Sequence, residues 1–433
     1  MKTRLLNLFT AAAVLLAGSL TAHSENITDE MLIEAFRQSP YRAAAGHAPY
    51  EAPSSTTCSC APKGYKAFYI SHFGRHGSRF QGDEGVFSRV CQVLDKMHSE
   101  NLLTPSGDSL RVELQQMWDS HKEQRYGMLT QRGAKEHQGI AERMFWRNPE
   151  VFMQKGRNEV GCRSTVVARC VESMANFAIT LKEFNPILDI TMQTDLLTGR
   201  TAGAPDHKKI RAISGPVEEA LLAQAGTMPT LAARLFTNPD AAAALTPKGE
   251  MGRFLFNMFK AAAGAGCLDE KFDPLRFFTP EELLECNKIR NIHFSSSYGC
   301  FGPTRDIAVG HSHPYAKLLI QEADEAIAGN GRCADLRFAH DKQLGPMLSL
   351  LDLENYNVYT PTYESHNYLA AWKYLSMAVN VQIVFYRNKQ NDILVKFLSN
   401  ERETAVPSLE AVEGVYYRWS DVREHILNRI NRK

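Results

Sequence analysis

The stretch that decides the fold runs from Lys66 to Arg79 and reads KAFYISHFGRHGSR. Its first half (66–72) is a short run rich in β-branched and aromatic residues, which predicts a buried strand. Gly74 and Gly77 follow, so we expect the strand to end there in a tight turn. Open α/β sheets bind ligands just beyond the carboxyl ends of their strands, and this turn lies at such a place.

The turn carries Arg75, His76 and Arg79 in an R-H-G-x-R pattern. Arginine stays charged and offers planar, forked donors that suit phosphate oxygens. A neutral imidazole held between two arginines can attack phosphorus, because phosphoryl transfer depends mainly on positioning and charge neutralisation. The pattern therefore favours a phosphate site, and its plainer alternative is a solvated basic loop.

Two distant segments strengthen the phosphate interpretation. Residues 163–177 follow the pattern R-S-x-x-x-x-R-x-x-x-S-x-x-x-F, and residues 338–341 (FAHD) follow a second predicted strand, Ala334 to Ala339. With these three segments in this order, the sequence resembles the histidine acid phosphatase family (the clade-2 histidine phosphatases) over about residues 63 to 400. Within that family it is most similar to the branch of bacterial multiple inositol polyphosphate phosphatases, which act as phytases.

The resemblance implies a role for each matched residue. His76 would be the nucleophile that forms a phosphohistidine, and Asp341 would protonate the leaving oxygen and later act as base. The phosphate would be bound by four further side chains, namely Arg75, Arg79, Arg169 and His340. The resemblance implies no cofactor and no metal, and it implies a small phosphomonoester as the binding partner.

The chain departs from the family at two places. Arg79 is followed by Phe80-Gln81-Gly82, without the proline of many family phytases, so that loop can differ. The acid site reads His340-Asp341-Lys342, where inositol polyphosphate phosphatases often carry His-Ala-Glu, and this assigns the acid to Asp341. Lys342 is then a candidate substrate-binding residue, with a solvent-facing lysine as the alternative. Arg163 is a second candidate, and for it a surface ion pair is an equal alternative.

The first 22 residues have the pattern of a secretory signal peptide. Lys2 and Arg4 precede the apolar run Leu5 to Leu20, and small residues around Ala22 offer a cleavage site. We therefore expect a periplasmic or secreted protein without a membrane anchor. Removing the two basic residues leaves 47 basic against 48 acidic side chains, a formal charge of −1. Such a balance excludes a highly basic nucleic-acid binder, so anion binding must depend on local clusters.

The rest of the chain predicts an α/β class with an inserted helical part. Residues 23–62 lack periodicity and are expected to form an extended arm. Residues 63–205 and 330–433 are expected to form a histidine phosphatase domain with a phosphoglycerate-mutase-like α/β core sheet flanked by helices. Residues 206–329 have helical periodicity and are expected to form a helical cap subdomain. The elements expected within these regions are helices over 86–98, 110–121, 131–144, 343–351 and 420–432, a strand, turn and helix over 163–184, and a hairpin of strands 378–386 and 393–398.

Several residues outside the three motifs also carry chemistry. His72 ends the first predicted strand and is expected to be a packed core histidine. The run from His207 to Arg211 could bind peripheral phosphates, although a solvated charge run is favoured over this. His311 and His313 suggest a metal only weakly, because no acidic or cysteine partner lies at ligand spacing. Nine cysteines, an odd number, leave the disulfide pairing open.

Three other functions share part of this evidence. A broad-specificity acid phosphatase acting on sugar phosphates would use the same catalytic residues. A mutase-like phosphotransferase also uses an R-H-G histidine, but the leader and the His340-Asp341 pair disfavour it. A catalytically dead phospholigand-binding protein would need neither His76 nor Asp341. The sequence leaves the preferred inositol phosphate and the oligomeric state open.

Overall fold

The computed structural model describes residues 27–55, 58–121, 125–194, 207–224, 228–269, 271–356, 367 and 369–431. The expected signal peptide lies outside these residues. None of the helices in these ranges is long and apolar enough to cross a bilayer.

One mixed sheet organises the α/β part of the chain, in the order β3-β2-β4-β1-β5-β6-β7, with β8 paired to β6. The first four strands of this order are mutually parallel, and β5 runs antiparallel to β1. The strands are β1 (Lys66–Arg75), β2 (Glu159–Ser164), β3 (Asp189–Thr194), β4 (Ala334–Ala339), β5 (Asn380–Arg387), β6 (Ile393–Ser399), β7 (Arg402–Thr404) and β8 (Tyr416–Arg418).

The predicted strands at 66–72 and 334–339 are confirmed, and so is the hairpin, which β5 and β6 form. The expectation that Gly74 ends the first strand is wrong, because β1 continues through it to Arg75. Gly74 pairs with Phe338 on one side and Asn380 on the other, so the ladder compensates for its missing side chain.

Helices cover both faces of the sheet and form a separate layer beside it. The helices are α1 (Asp29–Gln38), α2 (Gly85–Ser99), α3 (Pro105–His121), α4 (Gln131–Arg147), α5 (Pro149–Phe152), α6 (Ala168–Phe184), α7 (His207–Gln224), α8 (Pro229–Leu235), α9 (Pro239–Leu245), α10 (Met251–Ala263), α11 (Pro280–Tyr298), α12 (Arg305–Gly310), α13 (His313–Ile327), α14 (Asp341–Leu350), α15 (Ala371–Tyr374) and α16 (Trp419–Asn431). Short 3-10 helices lie at Pro40–His47, Pro247–Gly249, Gly264–Cys267, Pro274–Phe277 and Gly302–Thr304.

The helix predicted to begin after Thr130 is confirmed, since the Thr130 hydroxyl accepts from Gly133 N at 3.2 Å. The strand, turn and helix predicted over 163–184 are confirmed as the end of β2 followed by α6. The last helix begins at Trp419, one residue before the predicted cap, and the Ser420 hydroxyl donates to Asp421 instead of capping.

The described residues form three large hydrophobic cores and a small fourth cluster around Leu221, Ile289, Ile292 and Phe301. One face of the sheet packs on α4 and α6, and the other face packs on helices that include α13, α14 and α16. The third core belongs to the helical layer and combines α2 and α3 with α8, α10 and the start of α11. The helical layer therefore draws on residues before 206 as well as on the predicted cap.

The expectation of an extended N-terminal arm is wrong for residues 29–47. Thr28 caps α1 by accepting from Met31 N, and Leu32 and Phe36 are buried from one face of this helix. The 3-10 helix that follows contains Ala45 at φ 53°. The cap, the acidic first turn and the apolar spacing were present in the sequence, but the helix is only ten residues long, and its stability depends on burial against the helical layer.

All nine cysteines are free thiols in this structure, and all except Cys58 and Cys60 are buried. Buried thiols of this kind behave as small apolar side chains. The packed-core expectation for His72 is confirmed as well, since the residue is 1% exposed and its ring packs against Phe177 and Phe338.

Candidate active site

The sheet register brings two of the three motifs together. Arg75, the last residue of β1, is paired with Ala339, the last residue of β4. His76 N donates to the Ala339 carbonyl at 3.0 Å, so the two chains leave the sheet side by side. The rings of His76 and His340 consequently lie 5.5 Å apart in an edge-to-face arrangement.

The ring of His76 is fixed in one tautomer. Its Nδ1 lies 2.9 Å from the carbonyl oxygen of Gly77, which can only accept, so Nδ1 carries the hydrogen and Nε2 keeps its lone pair. Burial lowers the pKa of His76 well below its ordinary value, and the charges of Arg75 and Arg169 lower it further. A buried, neutral imidazole with a free Nε2 is equipped to act as a nucleophile.

The turn after His76 is locked against α4 and α6. Gly77 N donates to the Ser173 hydroxyl at 3.1 Å, and both the amide and the hydroxyl of Ser78 donate to Glu136 at 2.7 Å. A β-carbon on Gly77 would lie 2.4 Å from the carbonyl oxygen of Gly133, so the close approach of the turn to α4 requires glycine.

Arg75 is held from several sides and is 1% exposed. Its Nη1 donates to the carbonyls of Leu375 and Ser376, each at 3.1 Å, and to the carbonyl of Gly46. Its Nη2 lies 3.0 Å from Oδ2 of Asp341. Because backbone carbonyls fix the guanidinium, its position does not depend on the carboxylate alone.

Arg79 and Arg169 complete a cluster of three arginines. Burial and the neighbouring charges of Arg75 and Arg169 lower the pKa of Arg79 to about 10. Burial also lowers the pKa of Arg169, and the charge of Arg75 lowers it further. Converging cations of this kind are unfavourable by themselves and are stabilised by an anion placed between them.

The His-Asp pair opens α14. His340 is the N-cap residue, and its backbone N–H donates to Gln343 Oε1 at 2.9 Å. Arg169 Nη2 lies 3.4 Å from His340 Nδ1, and because arginine only donates, that nitrogen accepts. Burial and the charge of Arg169 lower the pKa of His340 to about 4, so it is a neutral donor through Nε2.

Asp341 is the first residue of α14, where the helix dipole favours a carboxylate. Burial alone would raise its pKa, but the charge of Arg75 and a hydrogen bond with Tyr298 stabilise the ionised form and hold the pKa well below its usual range. Asp341 is therefore ionised and paired with Arg75 in this structure.

A cavity of about 180 Å³ opens beside Arg79. Its charged lining is entirely basic among the described residues, with Arg79, Arg89, Lys260 and Arg290 as its cations. Burial, together with the charges of Arg290 and Arg89, lowers the pKa of Lys260 to about 8. His47, on the arm, also lines this cavity.

The structure brings together Arg75, His76, Arg79, Arg169, His340 and Asp341. Arg163 lies apart from them, because its side chain points to Glu322 at 3.7 Å, beside the buried ion pair of Glu322 and Arg337. The Lys342 backbone N–H donates to Asp341 Oδ1 at 2.9 Å, and its side chain is not among those that line the cavity.

Sequence reasoning missed the contributions of His47, Lys260, Arg290 and Tyr298. His47 stands in a segment without recognisable pattern, and the other three are single polar residues on the helices α10 and α11. Only the fold brings them to the site, and no local spacing indicates it.

The chain is similar in fold to several solved structures. Multiple inositol polyphosphate phosphatase of Bifidobacterium longum in complex with inositol hexasulfate aligns with a TM-score of 0.73 and 18% identity, covering 89% of this chain and 97% of that one. The same protein in complex with phosphate gives 0.75 and 18%, covering 90% and 98%. The phytase from D. castellii gives 0.65 and 14%, covering 90% and 85%.

No protein-family model matches the chain, and no curated protein matches it in sequence. The structural likeness is therefore evidence about the fold. It confirms the predicted α/β core sheet flanked by helices, a fold that this chain shares with the Bifidobacterium phosphatase structures.

Proposed function

We propose that this protein is a secreted phosphoric monoester hydrolase that removes phosphate from inositol polyphosphates through a phosphohistidine at His76. The observation that carries the proposal is the environment of His76. Its ring lies 5.5 Å from that of His340, the N-cap residue of α14, and the charges of Arg75, Arg169 and Arg79 act on it. A phosphate-binding protein without turnover would need neither a free Nε2 nor a neighbouring carboxyl.

In the first step, Nε2 of His76 attacks phosphorus while the ester P–O bond breaks. Arg75, Arg79, Arg169 and His340 bind the phosphate oxygens. The departing alkoxide takes a proton from Asp341, which becomes a carboxylate. The product alcohol leaves and the phosphoryl group stays on His76.

In the second step, a water molecule attacks phosphorus and gives its proton to Asp341. The P–N bond breaks, inorganic phosphate is released, and both His76 and Asp341 return to their starting forms. The sum is one ester and one water converted to one alcohol and one phosphate, and no redox partner or metal is required.

The ion pair between Asp341 and Arg75 explains how Asp341 can become protonated when substrate binds. A bound phosphate competes for the Arg75 guanidinium and adds negative charge beside the carboxylate. Both changes raise the pKa of Asp341, so binding of the substrate favours the protonated form that the first step needs.

The basic cavity beside Arg79 supports a polyphosphorylated substrate. A monoester needs only the cluster around His76, whereas the further cations Arg89, Lys260 and Arg290 suit phosphates carried elsewhere on the same molecule. Inositol polyphosphates carry several phosphates on one compact ring. The ligand named for the Bifidobacterium structure, inositol hexasulfate, is of the same shape and charge type.

Export is supported by the leader, because Met1 to Ala22 has the charged start, apolar run and small-residue exit of a signal peptide. Measuring the N-terminus of the protein recovered from the periplasm or medium tests this. Processing near Ala22 is expected, and an intact Met1 in a cytoplasmic fraction would contradict it.

A time course of phytate products, with the purified mature protein in a chelator, tests the activity. We expect release of phosphate in the wild type and in His98→Ala, which changes an exposed histidine on α2, but none in His76→Ala. Activity retained in His76→Ala would exclude the mechanism. Faster turnover of sugar phosphates than of phytate would instead favour the broad acid phosphatase.

A further inference from the structure

His47 occupies a place in the cavity that none of the motifs indicates. It ends the 3-10 helix of the N-terminal arm and lines the cavity together with Arg79 and Arg290. Its ring contacts Phe294 edge-to-face with the centroids 5.5 Å apart, which limits rotation of the imidazole.

The backbone around His47 is held by three hydrogen bonds, one of them from the catalytic-site residue Arg75. The carbonyl of Gly46 accepts from Arg75 Nη1, and the carbonyl of His47 accepts from the Cys267 thiol at 3.4 Å. The carbonyl of Ala48 accepts from Met377 N at 2.9 Å. A β-carbon on Gly46 would lie 2.5 Å from the Phe294 ring, so the arm approaches α11 as closely as glycine permits.

The tautomer of His47 follows from its partner. Arg290 Nη2 lies 2.9 Å from His47 Nδ1, and because a guanidinium can only donate, Nδ1 accepts and Nε2 carries the hydrogen. Burial lowers the pKa of His47 well below its ordinary value, as do the charges of Arg290 and Arg79. His47 is thus a neutral side chain with one N–H donor in a cavity whose charged side chains, among the described residues, are all cations.

We infer that the Nε2–H of His47 is a specificity-determining donor that binds a second phosphate of the substrate, next to the phosphate attacked by His76. Arg290 has two parts in this arrangement, since it fixes the tautomer of His47 and supplies positive charge to the same cavity. Lys260 supplies charge from α10 on the cavity wall. The inference rests on the proposed function, and it gives the 3-10 helix Pro40–His47 a role in substrate specificity.

Three variants distinguish the loss of the Nε2–H donor of His47 from the loss of the volume of its ring. His47→Gln keeps an amide N–H near the place of Nε2, His47→Asn keeps one near Nδ1 only, and His47→Ala keeps neither. We expect KM for phytate to rise about tenfold in His47→Ala and His47→Asn, the size of one hydrogen bond to a charged group. His47→Gln should stay within about threefold of the wild type, and kcat/KM for p-nitrophenyl phosphate should change little in all three.

Equal losses on phytate and on p-nitrophenyl phosphate in all three variants would overturn the inference, because they would indicate a structural role around Arg75. No loss on either substrate would overturn it as well. If the wild type releases no phosphate from phytate but hydrolyses p-nitrophenyl phosphate, the proposed substrate class is wrong independently of His47.

A measurement on the wild-type protein keeps the inference testable even if the variants fold poorly. In histidine-labelled protein, ¹⁵N NMR should show His47 neutral at pH 6, with Nδ1 unprotonated and Nε2 protonated. On adding myo-inositol hexakis sulfate, a non-hydrolysable mimic, the Nε2 signal should shift. A protonated Nδ1, or an Nε2 signal that does not respond to the bound mimic, would contradict the assignment.

Discussion

Arg75 Nη2 lies 3.0 Å from Asp341 Oδ2, and this contact joins the end of β1 to the start of α14. The proposed mechanism gives the same two residues separate tasks, one on the phosphate and one on the leaving oxygen. In the free protein, Asp341 is therefore a carboxylate, and it is paired with the same arginine that would bind the phosphate of the substrate. A bound phosphate shares the fixed Arg75 guanidinium with the carboxylate and adds negative charge beside it, which raises the pKa of Asp341, so protonation is tied to binding.

The first prediction concerns Asp341→Asn. It should lower kcat on phytate by about 10²–10⁴-fold, the usual contribution of a general acid, because an inositol alkoxide is a poor leaving group. The loss on p-nitrophenyl phosphate should be much smaller, because that leaving group departs without a proton. Steady-state kinetics on both substrates measure this, and an equal loss on the two would argue against Asp341 as the acid.

The same residue sets the direction of the pH dependence. Since the productive complex needs protonated Asp341, kcat on phytate should fall as pH rises through the pKa of that residue in the complex. The low pKa of His76 keeps the nucleophile unprotonated at acidic pH, so activity persists there. A kcat that rises from pH 5 to pH 8 would contradict this account.

The second prediction concerns the contact between the catalytic turn and α4. A β-carbon at Gly133 would lie 2.2 Å from the backbone oxygen of Ser78, and neither backbone can move aside cheaply. Gly133→Ala should therefore destabilise the protein by about 1–3 kcal/mol and displace His76, with at least a tenfold loss of kcat.

Gly139→Ala is the matched control on the same helix, because its β-carbon would meet no backbone atom and only the guanidinium of Arg143, which binds Glu401 away from the catalytic turn. It should leave kcat unchanged. Full activity in Gly133→Ala would show that the close approach of the two segments does not position the nucleophile.

The third prediction concerns acid stability and His72. Burial lowers the pKa of His72 to about 3, and no hydrogen-bond partner is found for either ring nitrogen among the described residues. A depressed histidine pKa means that the unfolded state takes up the proton first. Stability is thus lost as pH falls from about 6.5 towards 3, by roughly 3 kcal/mol between pH 7 and pH 4 from this residue.

His72→Leu should remove that part of the loss, and the exposed His98→Leu should not. Urea unfolding at the two pH values measures the difference. If the free energy of unfolding falls as much between pH 7 and pH 4 in His72→Leu as in the wild type, this histidine does not contribute to acid unfolding.

The fourth prediction concerns Lys260, whose pKa is lowered to about 8 by burial and by the neighbouring arginines. Above that pH the amine of the free protein is neutral, so affinity for inositol hexakis sulfate should weaken between pH 7 and pH 9. Calorimetry on the wild type measures this, and Lys260→Met should bind more weakly at pH 7 and lose most of the pH dependence. A dependence that persists in Lys260→Met would assign it to another group.

How far the sequence alone predicts this molecule depends on the kind of residue. The strand before His76, the helix after Thr130 and the hairpin could be predicted, because apolar spacing, a cap and turn residues act within a few positions of each other. The cluster of residues around His76 could be predicted as well, since its members directly follow the ends of strands or lie at the starts of helices. His47 and Arg290 are 243 positions apart, and only the packing of the arm on α11 makes them neighbours.

The most direct test of the central claim is to trap the covalent intermediate. Protein mixed with ³²P-labelled phytate, quenched in alkali within milliseconds and mapped by peptide, should carry label on His76, with ³¹P NMR placing the phosphoryl group on Nε2. His76→Ala should carry none. Label on Nδ1 or on another residue, or turnover without any labelled histidine, would contradict the mechanism.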